Sequence, residues 1–213
     1  MRPYRPILRL MLLATLALAA GCAAAPPPLL DISNHACATS PDLISAAPLT
    51  LSDPRSPDTV KTRIDDTAPC LQTAQGKSLY AAFRLPDSAS PFMIGVRSAP
   101  IGQGLLVPRL LLLDGTGAVK REIGQDSLEF RADTLTALIR SHPDERYLVV
   151  ASTPQAVGRS EERIVESTTA TTVVSGRYAA TAYSGLDATH RYVYAHGGLI
   201  TVFAATIPGN PHD

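Results

Sequence analysis

The chain has 213 residues, of which 45% are hydrophobic and 18% charged, with 18 prolines, 14 glycines and no tryptophan. That is enough for one sizeable domain or two small ones, and too apolar for a disordered chain, so a single folded domain is expected. Nineteen basic residues balance nineteen acidic ones, leaving no cationic excess to displace counterions from phosphates and arguing against a nucleic-acid binder.

The N-terminus reads as an address. Arg2, Arg5 and Arg9 precede an apolar run from Leu10 to Ala20. At about 1.5 Å of helical rise per residue, such a run is too short for a hydrocarbon core of about 30 Å and reads as a signal-peptide core. The run ends in Leu18-Ala19-Ala20-Gly21-Cys22, which resembles the lipobox of bacterial lipoproteins, with Ala19 where leucine is commoner. Lipidation of Cys22 is expected, with an ordinary cleaved signal peptide as the alternative. Ala23 rather than aspartate after Cys22 favours the periplasmic face of the outer membrane. Without residues 1–21 the chain keeps 16 basic and 19 acidic residues, a formal charge of −3. Ala23-Ala24-Ala25-Pro26-Pro27-Pro28 suits an extended tether. The expected organisation is a signal peptide over 1–21, a lipidated cysteine and tether over 22–47, and a β-domain over 48–213.

Cys37 and Cys70 then remain as an even pair in an oxidising compartment, where a disulfide is expected and two free thiols are the alternative. Neither has a recognisable histidine base, which disfavours a catalytic cysteine.

In chain order, residues 32–76 are rich in Pro, Asp, Ser and Thr and read as an extended arm with little regular structure. Leu79, Ala81, Phe83 and Leu85 alternate with Tyr80, Ala82 and Arg84, and Phe92, Ile94 and Val96 alternate again, suggesting an antiparallel pair of strands. Leu105 to Leu113 reads as a strand covered on both faces, with Pro108 at its entry or at a bulge. Asp114-Gly115-Thr116-Gly117 turns it into a returning strand through Val119, Arg121 and Ile123. Leu128 and Phe130 resume a strand, Asp133 is placed to cap a short helix through Arg140, and Tyr147 to Ala151 is a buried strand. Part of 154–175 is assigned to helix. His196-Gly197-Gly198 reads as the turn of a hairpin between 191–195 and 199–206. The sum is a mostly β fold, a β-sandwich of about seven or eight short antiparallel strands with one or two short helices.

From about residue 48 to 207 the order of these pieces resembles the maltose operon periplasmic protein family. The residues that carry the likeness are Leu85-Pro86, Val107-Pro108, Leu111-Leu112-Leu113-Asp114, Phe130, Leu135, Leu138, Tyr147-Leu148-Val149-Val150 with Ser152-Thr153, and Gly198-Leu199-Ile200. The resemblance implies an envelope protein accessory to maltose or maltodextrin uptake, partnered by maltodextrin or by an outer-membrane uptake component. It supplies no site residues.

No motif for chemistry assembles. The five histidines form no His-Glu-x-x-His. His190, His196 and Asp187 are a poor zinc set beside the simpler reading of loop histidines, and Tyr183-Ser184-Gly185 lacks the first glycine of a nucleophile elbow. Asp114-Gly115-Thr116-Gly117 lacks the lysine of a phosphate loop. The acids Asp65-Asp66, Asp126 with Glu129, and Glu161-Glu162 read as solvated faces rather than a glycosidase pair. No metal, cofactor or enzymatic activity is expected. Tyr192 and Tyr194, two apart on a strand, share one face of it. With Tyr178 and Tyr183 they would make a platform for sugar rings, and an interior-facing tyrosine stripe is the more ordinary arrangement.

Overall fold

A computed structural model describes residues 29–175 and 177–207. The signal sequence, Cys22 and the tether to Pro28 lie outside the described residues, as do the side chains of Tyr183 and Asp187. The fold is mostly β and sandwich-like, with two six-stranded sheets, a three-stranded sheet and two 3₁₀ turns at Gln125–Ser127 and Pro154–Ala156.

The first sheet is built on β5 (Gly76–Arg84), β12 (Tyr147–Ser152), β8 (Pro108–Leu113) and β9 (Val119–Ile123), in that order, all antiparallel. Its β5 edge carries two short strands, β1 (Ala47–Pro48), parallel, and β4 (Cys70–Thr73), antiparallel. The second sheet runs β10 (Glu129–Arg131), β11 (Thr134–Arg140), β6 (Phe92–Ala99) and β15 (Gly198–Thr206), antiparallel throughout. Beyond β15 lie β3 (Thr59–Ile64), antiparallel, and β2 (Leu51–Ser52), parallel. The third sheet is a long hairpin of β13 (Ser160–Ser175) and β14 (Tyr178–Ala195), whose root pairs in parallel with β7 (Gly104–Leu106).

The period of two explains the core. Leu79, Ala81 and Phe83 of β5, Leu110 and Leu112 of β8, and Leu148 and Val150 of β12 point inward from the first sheet. They meet Ile94 and Val96 of β6, Ala137 of β11, and Ile200, Val202 and Ala204 of β15. The intervening residues of the first sheet, Tyr80, Leu111, Leu113, Val149 and Ala151, are also buried, in a second cluster to which Leu43 adds. That is why 110–113 reads as a run of apolar residues, but the single strand expected over 105–113 is two: Leu105 and Leu106 belong to β7 in the third sheet, and β8 of the first sheet starts at Pro108 with the buried Arg109 next. Pro108 stands first in β8, and the Asp114 turn is closed by the Asp114 carboxylate, which accepts from the Thr116 amide at 2.9 Å and the Ala118 amide at 3.0 Å. Gly117 occupies the left-handed region there, with φ +86°.

Several sequence expectations are corrected. The segment 32–76 is not an arm beside the domain: Ile32, Leu49 and Ile64 are in the core, and four strands come from this stretch. The described part of the tether expected over 22–47, residues 29–47, is docked on the body. Cys37 is joined to Cys70, the Ala38 amide donates to Cys70 O at 3.0 Å, and the Asp42 amide donates to the Tyr80 hydroxyl at 2.7 Å. Strands β5 and β6 are not a pair, because the 85–91 connection crosses from one sheet to the other. Residues 134–140 form a strand, since Leu135, Ala137 and Ile139 alternate inward and the full length pairs with β10 or β6. In the stretch 154–175 only one 3₁₀ turn is helical and the rest is β13. Finally, His196-Gly197-Gly198 is a crossing between sheets. A β-carbon on Gly198 would sit 2.7 Å from the Leu106 side chain and one on Gly197 2.9 Å from Ile64 O, so these glycines serve close approach rather than a hairpin turn. Among the described residues fifteen strands replace the expected seven or eight, and three of their pairings are parallel.

Candidate functional site

The feature that stands apart is the β13–β14 arm. Its strands have 16 and 18 residues, so at about 3.4 Å per residue the ribbon is about 50 Å long. Only Val193, Tyr194 and Ala195 of it pair with β7. Ile164, Val173, Val174 and Tyr178 are between 64% and 83% exposed, and the described side chains over 169–174 and 177–181 are exposed on both faces.

The local sequence explains why this is a strand. It is rich in Thr and Val, which favour the pleated backbone, and the cross-strand pair Thr172 and Thr181 joins hydroxyls at 2.9 Å. It also explains what the strand lacks. From 160 to 195 there is no proline and no lysine, and from 167 to 186 the sole charge is Arg177. Those are the devices by which proteins blunt a free strand edge. A lone two-stranded ribbon is marginal in water and exposes unpaired N–H and C=O groups along its margins. Such an edge can accept an extended segment as an added strand.

The root is built differently. Tyr192 and Tyr194 share one face of β14, as their spacing requires, but that face is turned inward: each is 3% exposed, packed with Leu105, Val107 and Leu135. Neither ring offers a surface for sugar stacking, so the interior stripe is the observed arrangement. Phe130 and His190 stack on Tyr192 with centroids 6.4 and 6.1 Å away, and the Arg163 guanidinium lies 4.4 Å from the Phe130 ring centre. The Tyr194 hydroxyl donates to Glu161, and burial together with that bond holds it well above the usual phenol range. Burial also raises the Tyr192 hydroxyl, with Asp133 adding to the effect. The stack fixes the arm's root to the body.

Two polar clusters were not legible in the sequence. The Ser152 hydroxyl and His196 Nδ1 are 2.9 Å apart. Burial pushes the His196 imidazole below its ordinary range, against the attraction of Asp31. Ser152 is fully buried, so the pair ties the β14–β15 crossing to the end of β12 and offers no accessible nucleophile. The second is Glu145, whose side chain is completely buried, bonded to Arg121 at 3.0 Å and accepting from the His142 amide at 2.8 Å. It fastens β9 to the turn between β11 and β12. Sequence spacing alone could not pair residues 44 or 24 positions apart.

An open cleft elsewhere is lined by Tyr147, Arg84, Arg146, Asp87 and Pro48. Among the described residues no group of three or more His, Cys, Asp or Glu could hold a metal ion, and no helix is long and apolar enough to cross a membrane. No family model, curated protein or solved structure matches the chain.

Proposed function

We propose that this chain is a non-enzymatic, lipid-anchored envelope protein that works as an interaction module, its arm receiving an extended segment of a partner by strand addition. The observation that carries this reading is the long ribbon with unblunted edges and exposed Ile164, Val173, Val174 and Tyr178, rooted rigidly in an otherwise well-packed body. The lipobox at Gly21-Cys22 supports anchoring at the periplasmic face of the outer membrane. Replacing residues 166–187 by an Asn-Gly turn shortens the arm and keeps its root. Chemical crosslinking of envelopes should yield a discrete adduct with the full chain and none with the short-arm variant. An unchanged adduct would remove the arm from the function.

A second reading keeps a sugar ligand. The resemblance to the maltose operon periplasmic protein family supports accessory work in maltodextrin uptake, and the Tyr147 cleft, with an aromatic ring beside Arg84, Asp87 and Arg146, is better placed for it than Tyr192 and Tyr194. Calorimetric titration with maltodextrins, repeated on Tyr147→Ala, tests it. Heat lost in the variant favours the sugar, and no heat at millimolar ligand favours the interaction module.

A further inference from the structure

We infer that the outward face of the second sheet rests on an anionic phospholipid surface, an orientation that builds on the lipid-anchor reading. The face can be written out from the register. One row across the strands is Lys61, Thr201, Arg97, Thr136 and Glu129, and the next is Arg63, Leu199, Ala99, Thr134 and Arg131. In the other direction come Thr59, Phe203, Gly95 and Leu138, then Ala205, Met93 and Arg140. The alternate positions on these strands point into the core, so these lie on the opposite face, where Thr136, Phe203 and Ala205 are buried beneath the longer side chains around them.

The charge on this face runs against that of the chain. The chain beyond residue 21 carries 16 basic and 19 acidic residues, while this one face gathers Lys61, Arg63, Arg97, Arg131 and Arg140 against Asp65 and Glu129. The two acids are already taken, Asp65 by Arg63 at 3.5 Å and Glu129 by Arg131 at 3.4 Å. Lys61, Arg97 and Arg140 have no carboxylate partner among the described residues and are exposed. With strands about 4.8 Å apart and about 3.4 Å per residue, Lys61 and Arg97 stand about 10 Å apart and Arg97 and Arg140 about 14 Å, which suits separate headgroups rather than one small anion.

The centre of this triangle is apolar, with Phe203 and Ala205 covered by their neighbours and Leu138 and half-buried Met93 as its accessible apolar surface. Leu138 is 49% exposed beside Met93, and the Phe203 ring lies where a β-carbon on Gly95 would be, 2.1 Å from that position, so any larger residue there would lift the ring. Arg97 sits 5.9 Å from the centre of the same ring. Basic side chains around a shallow apolar centre match the headgroup boundary of an anionic leaflet.

The tether selects this occupant. Leu29 and Leu30 line a cleft with Arg63, Ile64 and Asp65, so the chain leaves the body at the Arg63 end of the face. Seven peptide units from Cys22 to Leu29 reach at most about 25 Å. A lipid at Cys22 therefore holds this face near the bilayer at high effective concentration.

The test uses the mature chain with Cys22→Ala, which separates the face from the anchor. Co-sedimentation with vesicles of phosphatidylglycerol and phosphatidylethanolamine should show binding that weakens with salt and is absent on phosphatidylcholine alone. Each cation near an anionic surface changes partitioning about fivefold, so Lys61→Gln/Arg97→Gln/Arg140→Gln should lose about a hundredfold. The control Arg84→Gln/Lys120→Gln/Arg159→Gln removes the same charge from elsewhere and should lose far less. Equal loss in both triples, no binding at millimolar accessible anionic lipid, or preference for soluble dextran sulfate over vesicles would overturn the inference. Lipid at Cys22 is read separately from the mass of the membrane-extracted protein, so failure of the anchor and failure of the face are distinguishable.

Discussion

The body and the arm are made of the same kind of strand and differ in where their apolar residues go. In the body, alternate residues of two sheets face one another, and Leu79, Phe83, Leu110, Leu148 and Ile200 lose all contact with water. In the arm, Ile164, Val173 and Val174 remain in water on a ribbon whose packed part, among the described residues, is its root. Burial of apolar surface is the dominant favourable contribution to folding, so the body should hold nearly all the stability and the arm nearly all the unsatisfied surface.

Substitutions can break that comparison. The largest effect belongs to the core: Phe83→Ala should cost about 4 kcal/mol in chemical denaturation. Next comes Cys37→Ser with Cys70→Ser. The bridge spans 33 positions and ties the docked N-terminal segment to β4, so about 3 kcal/mol should disappear, and dithiothreitol should shift the unsubstituted protein by the same amount. Gly198→Ala places a β-carbon against Leu106 and should cost about 2 kcal/mol. At the arm tip, Val173→Thr and Val174→Thr should change stability by no more than about 0.5 kcal/mol while weakening partner capture. A large loss of stability there would mean that the arm packs like the body.

A pH effect sharpens the comparison at the junction. The His196 imidazole is pushed below its ordinary value of 6.5 by burial, so the unfolded chain takes up a proton more readily than the folded one. The contribution is fully present above about pH 6.5 and is lost as pH falls through the folded value. Thermal midpoints should therefore drop on acidification from pH 7, and the drop should shrink in His196→Gln. An equal drop in both proteins would place the acid sensitivity elsewhere.

What the sequence disclosed follows the same division. The alternation of 79–85 and the apolar runs of 110–113 and 147–151 are legible because they are buried on one face or two, whereas the break that parts β7 from β8 falls inside an apolar stretch and goes unread. The pairing of Cys37 with Cys70 was legible from compartment and parity. The arm was hard to read because neither of its faces is buried, so apolar periodicity is absent and only the Thr and Val content points to a strand. The strand over 134–140 looked helical because Leu135, Leu138 and Ile139 match a helical spacing, whereas the inward set is Leu135, Ala137 and Ile139 with Leu138 facing water. Two-residue strands such as β1 and β2 carry no period at all. The crossings after β5 and β14 depend on which sheet the next strand joins, which local pattern does not encode.

Photo-crosslinking in intact cells puts the division of labour to the most direct test. A photoreactive residue at Val174, on the arm, should give a discrete adduct with an envelope partner, and one at Val119, which is 54% exposed on the body, should give none. Adducts from Val119 and not from Val174, or none from any arm position, would contradict the claim that the arm is the working surface.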